Sequence, residues 1–206
     1  MIIALTTKGI IAGFILYPLI VHYSITHDTP ILTSLYLTLL LSLLAMLKTA
    51  RQQHQQTVLF GSLALLTGIA SLSGHALLVI YSLPLLILGL LLFVFANSLT
   101  EGNTPYITHL AQLIREQPLA PAVCKYTKSV TIAWTILFLL LLLELLLLLL
   151  FAPLYVWSYA TNFFNYALIV LFFVAEYIVR RIHLRDVEHI GFIPFLKKLI
   201  QVNRKP

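Results

Sequence analysis

The chain has little charge and a single cysteine. Only 10% of its 206 residues are charged, whereas 60% are hydrophobic. A soluble domain carries about 25% charged residues, so this chain lacks the polar side chains that would cover a water-facing surface. A lone thiol, Cys124, also excludes an intrachain disulfide, a zinc ribbon and an iron–sulfur cluster, each of which needs several cysteines. The composition therefore predicts a protein whose solvent is in part the lipid bilayer.

The familiar catalytic motifs are missing as well. The sequence has no Walker loop, no Gly-x-Ser-x-Gly elbow and no aspartate-rich phosphotransferase motif. Its seven histidines form none of the His-x-x-x-His or His-x-x-His-His boxes with which membrane desaturases hold iron. We therefore expect no metal site and no cofactor.

Long apolar runs are what the sequence does contain. At about 20 apolar residues per crossing, they predict an all-α polytopic membrane protein with six transmembrane helices. We expect a six-span transmembrane domain over residues 1–179, which includes a loop over 100–128, and a basic tail over 180–206. The predicted crossings are residues 10–24, 31–47, 57–73, 76–99, 129–152 and 162–179.

Two short segments outside the crossings have the pattern of interfacial helices. In the loop, Thr104 followed by Pro105 is a helix-start signal, and apolar residues recur on one face up to Ile114. We expect this helix, over 104–116, to lie on the membrane. A second interfacial helix is predicted over 194–202 in the tail.

The basic residues predict the orientation of the chain. All 13 Lys and Arg residues lie in the termini and alternate loops of the six-span arrangement, and none lies between the other helix pairs. Short cytoplasmic loops collect Lys and Arg, so both termini are predicted to be cytoplasmic, and the loops over 26–30, 74–75 and 153–160 are predicted to lie outside. The loop at 74–75 is short enough to be a tight turn between two helices. The net charge of +6 thus indicates orientation, and we expect no nucleic-acid partner.

The stretch 81–181 carries a set of residues that resembles a known pattern. These residues are Tyr81, Pro84, Asn97, Ser98, Leu99, Gly102, Pro105, Leu110, Ala111, Tyr126, Thr127, Lys128, Val130, Thr131, Trp134, Glu176, Tyr177, Arg180 and Arg181. With them the stretch resembles an uncharacterised family of small bacterial integral membrane proteins, encoded beside fatty-acid-like or aryl-polyene synthesis genes. The resemblance implies lipid-like acyl chemistry at the inner membrane of a Gram-negative cell, and it implies no mechanism.

The chain departs from that pattern at two places. The family has an acidic–basic pair where this chain has Thr108 and His109, and a polar Asn-Gly pair where it has Leu141 and Leu142. No role is expected at these positions.

Glu144 is an ionisable residue inside the fifth predicted crossing. Such a side chain costs roughly 2.5 kcal/mol or more near the bilayer centre, so something must offset that cost. Two interpretations stay open. Glu144 is a proton or cation site, or it is a protonated carboxyl group that bonds to a neighbouring polar side chain.

A second candidate site lies where the fifth crossing starts and the sixth ends. Glu176 and Arg180 form an acid-before-base pair four residues apart, with Arg181 beside it. One interpretation is a helix-end anchor with snorkelling arginines, and the other is a site for an anionic headgroup. The remaining residues of this predicted ligand-binding site are Tyr126, Thr127, Lys128 and Trp134, which also suit an ordinary membrane interface.

Three functions from different classes fit these features. The first is a non-catalytic accessory protein that binds or hands on a lipid-like acyl product in envelope lipid or polyene biosynthesis. The second is a small proton-coupled transporter or exporter that uses Glu144, although the sequence shows no inverted repeat and no interrupted helix. The third is an intramembrane enzyme of lipid metabolism. The predicted partners are membrane lipids and lipid-biosynthesis proteins at the cytoplasmic face.

Overall fold

The computed structural model describes residues 2–114 and 119–183, and every regular element within them is a helix. Helices are expected in hydrocarbon because a helix pairs its own backbone N–H and C=O groups. In chain order the elements are α1 (Ile2–Thr26), α2 (Pro30–Ala50), α3 (His54–Leu72), α4 (Ala76–Asn97), α5 (Tyr106–Ile114), α6 (Pro121–Phe151), α7 (Leu154–Tyr159), a π-helical segment (Ala160–Phe164) and α8 (Asn165–His183).

Six stretches of the described chain are long and apolar enough to cross a membrane, which confirms the predicted number. Their outer surfaces expose large apolar side chains such as Leu72, Leu150 and Phe151. An apolar surface of this kind is unsuited to water and is matched by lipid chains. The chain is therefore an all-α polytopic membrane protein. The six stretches are Thr7–Thr26, Pro30–Ala50, His54–Leu72, Ala76–Asn97, Pro121–Phe151 and Leu154–His183.

The last two crossings differ from the predicted ones at their starts. α6 begins at Pro121 rather than at residue 129, because proline suits the first position of a helix. The final crossing begins at Leu154, so the loop predicted over 153–160 is mostly helix. Its aromatic and apolar residues fold inward, with Trp157 and Ser158 fully buried. Within this continuous crossing, Ala160–Phe164 has π-helical geometry.

Three of the predicted segments reach the limits of the described chain. α5 covers Tyr106–Ile114 of the interfacial helix predicted over 104–116. α8 continues past residue 179 to His183 and so takes in the first residues of the predicted tail. The interfacial helix predicted over 194–202, and the rest of the tail from residue 184, lie outside the described residues.

The chain divides into two compact units. The first consists of the described residues within Met1–Leu86 and Leu145–Tyr166, and the second of those within Ile87–Glu144 and from residue 167 onward. Each is described separately below.

Three tight turns join the first four helices. After α1, α2 and α3 respectively, Asp28, Gln52 and Gly74 adopt a positive φ. In each turn, the next residue donates its backbone N–H to a carbonyl of the last helical turn, as His75 does to Ala70 at 2.8 Å. This arrangement pairs carbonyls that a helix end would leave unsatisfied. The short turn predicted at residues 74 and 75 is confirmed.

In the first unit, α2 contacts both α1 and α3. The backbone of α1 comes close to α2 at Gly13, whose carbonyl accepts a hydrogen bond from the Tyr36 hydroxyl at 3.0 Å. A Cβ atom at Gly13 would lie 2.6 Å from a terminal methyl group of Leu40, so a larger residue here would displace the Leu40 side chain. Between α2 and α3, Thr38 Oγ1 donates to Thr67 Oγ1 at 3.0 Å.

The second unit is built on aromatic packing around α6. The Trp134 ring packs against Phe172 and Phe173 of α8, with ring centres 4.6 and 4.5 Å away. Phe95 of α4 packs against Phe138 of α6 at 5.1 Å. These rings hold the described parts of α4, α6 and α8 that belong to this unit in register.

Hydroxyl groups hold α5 against α6. The hydroxyl groups of Thr108 and Thr127 are 2.8 Å apart, and the backbone N–H of Ile107 donates to Thr131 Oγ1 at 3.2 Å. Thr108 is buried, whereas the apolar Leu113 is exposed. The hydroxyl group of Thr108 on α5 therefore faces α6, and the exposed side of α5 includes the apolar Leu113. An exposed apolar side is what a helix at the membrane interface requires.

The turn at Gly74 supplies a test of the hairpin geometry. We expect Gly74→Ala to lower the free energy of unfolding by about 1 kcal/mol, because an L side chain is strained at positive φ. Gly74 has a φ of +81° and nothing within 4 Å of an added Cβ, so the loss would come from backbone strain alone. Thermal unfolding of the purified protein in detergent, followed by circular dichroism, measures it.

The matched control is Gly61→Ala, which also has open space around an added Cβ. Gly61 lies inside α3, where alanine favours the helix, so this variant should be as stable as the parent protein or more stable. Equal losses of stability in both variants would contradict the assigned turn.

Candidate functional site

The first turns of α6 and the last turns of α8 bring polar side chains together within the second unit. α6 has 31 residues. At 1.5 Å per residue this is about 46 Å, which exceeds a hydrocarbon core of about 30 Å. The early start of α6 therefore places Tyr126 on a helix that extends beyond the apolar core.

The central contact joins Tyr126 to Glu176. The Tyr126 hydroxyl lies 3.3 Å from the Glu176 backbone oxygen and 3.3 Å from its Oε1 atom, so it donates to either. Arg180 Nε lies 3.7 Å from the same Oε1 atom. The Glu176 side chain is 15% exposed and that of Arg180 is 29% exposed, so the ion pair is partly shielded from solvent. We call these three residues the Tyr126–Glu176–Arg180 cluster.

Cations and aromatic rings surround this cluster. The His183 ring stacks on Tyr126 at a centroid distance of 6.2 Å. The guanidinium carbons of Arg180 and Arg181 lie 5.7 and 5.8 Å from the centre of the Tyr177 ring, which is within the range of a cation–π contact.

Four basic residues lie in these turns against one acid, Glu176. Two of the four, Lys125 and Lys128, are exposed on either side of Tyr126. The other two are Arg180 and Arg181 of α8. Positive charge therefore exceeds negative charge here, which suits an anion.

Two residues predicted to bind ligand face the protein interior instead. Thr127 is buried, and its hydroxyl pairs with Thr108 and with the Val123 carbonyl at 2.9 Å. Trp134 is 4% exposed and lies among phenylalanine rings. Both residues position α5, α6 and α8, while Tyr126, Lys128, Glu176, Arg180 and Arg181 are left to contact a ligand.

Several contacts of this region could not be read from the sequence. The stack of His183 on Tyr126 joins residues far apart in the chain. No role was predicted for Thr108, yet its hydroxyl group pairs with that of Thr127. Ser98 could have been singled out from the sequence, because it is one of the residues that carry the predicted resemblance. Its hydroxyl oxygen accepts a hydrogen bond from the backbone N–H of Tyr106, the first residue of α5, at 3.0 Å.

Glu144 lies on α6, seven residues before the helix end at Phe151. At 1.5 Å per residue this is about 10 Å, well inside the hydrocarbon for a helix that reaches the interface at its end. The residue is half-buried, and one of its carboxylate oxygens is fully buried. Glu144 therefore places a carboxyl group within the membrane, with one of its oxygens turned away from lipid.

Within residues 2–114 and 119–183, no group of three or more His, Cys, Asp or Glu side chains is arranged to hold a metal ion.

Comparisons with known proteins add no relative. No protein-family model matches the sequence, and neither a curated protein nor a solved structure matches it. The resemblance over residues 81–181 stays a prediction.

The contact between α6 and α8 is tested by removing one hydroxyl group. We expect Tyr126→Phe to lower the free energy of unfolding by about 1 kcal/mol, because Glu176 loses a hydrogen-bond donor. Chemical or thermal unfolding in detergent measures the loss. Tyr155→Phe is the matched control, since Tyr155 is exposed on α7 and should tolerate the change. A loss in the control equal to that in Tyr126→Phe would argue against the contact.

Proposed function

We propose that the protein is a non-catalytic accessory protein of the bacterial inner membrane that binds or hands on a lipid-like acyl molecule. Both termini are cytoplasmic in this proposal, because all 13 Lys and Arg residues fall on one side of the six crossings. The site is the Tyr126–Glu176–Arg180 cluster at the cytoplasmic leaflet. The observation that carries the proposal is the hydrogen bond from Tyr126 to Glu176, which joins two helix ends beside an excess of positive charge.

The cluster has the chemistry of a headgroup site. Glu176 contacts the Nε atom of Arg180, so the terminal nitrogens of that guanidinium keep their donors for another acceptor. Guanidinium groups bind phosphate and carboxylate with two parallel hydrogen bonds, and the nearby lysines add charge. An anionic headgroup, or the phosphate of an acyl phosphate, is the ligand class that fits.

The outward side of α8 is apolar. Val174, Ile178 and Ile182 are spaced four residues apart, and about half of each side chain is exposed. Residues two apart on a helix point to opposite sides, so this stripe lies on the other side of α8 from Glu176 and Arg180. It suits contact with the surrounding lipid chains, while the headgroup site is confined to the side that carries the cluster.

The proposal is tested by identifying what copurifies with the protein. Native mass spectrometry of gently extracted protein should show a bound acyl or polyene-like lipid with an anionic headgroup. We expect Arg180→Ala to reduce its retention about tenfold, because a charged hydrogen bond to the headgroup is lost. Glu176→Gln should reduce retention to a smaller extent, because Glu176 holds the Arg180 side chain in place and does not itself bond to the anion. Arg51→Ala is the matched control, since Arg51 bonds to Thr7 in the first unit.

Two results would overturn this assignment. One is unchanged lipid binding and unchanged envelope lipid composition in both cluster variants when they fold normally. The other is a stoichiometric protein partner with no lipid, which would make the protein a membrane scaffold.

A second candidate function is a small proton-coupled transporter that uses Glu144. It is favoured by the buried oxygen of this intramembrane carboxyl group. In proteoliposomes loaded with a pH-sensitive dye, Glu144→Gln should abolish proton movement. Glu101→Gln, in the exposed loop after α4, should leave it unchanged. Equal proton movement in both variants would remove this candidate.

A further inference from the structure

Side-chain hydrogen bonds join α1 to the last crossing within the first unit. Asn162 Nδ2 donates to the Ser158 backbone oxygen at 2.9 Å and lies 3.2 Å from the Ser158 hydroxyl oxygen. That hydroxyl oxygen is also 3.2 Å from His22 Nδ1. Ser158 and Asn162 are buried, whereas His22 is half-buried. We call these three residues the His22–Ser158–Asn162 network.

The partners in this network assign its hydrogen atoms. The Asn162 nitrogen contacts a backbone carbonyl oxygen, so it is the donor of the amide, and it also donates to Ser158 Oγ. Ser158 Oγ is the acceptor of that bond, so its own hydrogen is available for His22 Nδ1. A neutral histidine that accepts at Nδ1 carries its proton on Nε2. Within the described residues Nε2 makes no hydrogen bond, so His22 offers a donor to a ligand.

An apolar groove of about 630 Å³ meets this network between α1 and the π-helical segment. Asn162 and Phe163 belong to its lining, and the His22 ring packs edge to face against Phe163 with ring centres 5.1 Å apart. Pro18 and Leu19 also line the groove, and His22 follows them one helical turn later on the same side of α1. His22 therefore lies at one end of the groove. The other lining residues are Ile11, Phe14, Ile15 and Tyr166.

The surroundings of His22 are those of a membrane interface without a nearby cation. Tyr23 and Tyr159 are exposed beside it, and the Tyr159 ring centre is 6.4 Å from that of His22. Exposed tyrosines are typical of the level where lipid chains meet headgroups. With no cation to pair with a phosphate, the donor of His22 suits an uncharged acceptor oxygen. The Lys and Arg residues of the described first unit all lie at the opposite helix ends, and they are Lys8, Lys48 and Arg51.

We propose that the groove and His22 bind an acyl ester of a membrane lipid, with the acyl chain in the groove and the ester carbonyl oxygen as the acceptor for His22 Nε2–H. Among the described residues that line the groove none is charged, which suits a hydrocarbon chain. An ester carbonyl is an uncharged acceptor at the headgroup end of such a chain, so one molecule makes both contacts. The site shares no residue with the Tyr126–Glu176–Arg180 cluster and does not depend on the function proposed above.

The test compares two lipids that differ only in the ester carbonyl groups. The full-length protein is reconstituted in nanodiscs that contain equal amounts of dioleoylphosphatidylcholine and its dioleyl ether analogue, and the retained lipids are measured by native mass spectrometry. We expect about fivefold more retention of the ester lipid, as one neutral hydrogen bond implies. His22→Phe keeps a ring for the contacts with Tyr159 and Phe163 but removes the donor, so it should abolish this preference.

His75→Phe is the matched control, because His75 is exposed in the turn after α3 and lines no part of the groove. It should keep the preference for the ester lipid. If His22→Phe fails to fold, as judged by circular dichroism, Ile15→Trp takes its place. Ile15 lines the groove and is 71% exposed, so a larger ring is tolerated there, fills groove space and should also abolish the preference.

Two results would overturn the proposal. One is equal retention of the ester and ether lipids by the parent protein. The other is a preference for the ester lipid that persists in folded His22→Phe or in folded Ile15→Trp.

Discussion

Every backbone N–H and C=O group that enters hydrocarbon must find a partner within the chain, because lipid offers none. The helices meet this requirement along their length, and the turns meet it where helices end. After α3, Gly74 takes a positive φ and His75 returns a hydrogen bond to Ala70. Hydroxyl side chains obey the same constraint, as when Thr131 bonds to the Thr127 carbonyl. The hairpins of the first unit and the attachment of α5 in the second both follow from it.

Polar side chains are paired differently at the helix ends and inside the helices. In the Tyr126–Glu176–Arg180 cluster the polar groups pair with one another at two helix ends, where charge is tolerated. In the first unit, Trp157, Thr161 and Asn165 carry buried polar atoms that have no hydrogen-bond partner in the described part of the chain, in and next to a helical segment with π geometry. The proposed headgroup site rests on the first of these arrangements.

Some of the residues predicted to bind a ligand pack in the protein interior instead. Trp134 looked like an interfacial anchor, and it is instead buried among Phe172 and Phe173. Thr127 was predicted to bind a ligand, and it pairs with Thr108 of α5. An indole or a hydroxyl group near a helix start fits either environment, so the residue type alone does not distinguish them. Tyr126, in contrast, turns toward Glu176, fifty residues along the chain.

Hydropathy along the chain was enough to predict the number of crossings and the all-helical class, because each crossing needs a set length of apolar residues. The amino-acid sequence also indicated the turn at Gly74, whose conformation is a local property. The helical start of the last crossing at Leu154, its π-helical segment and the buried polar atoms of Trp157, Thr161 and Asn165 became visible only in the folded chain. These depend on which side chains of distant helices pack together. Such pairing is set by three-dimensional contact, and a periodic apolar pattern does not record it.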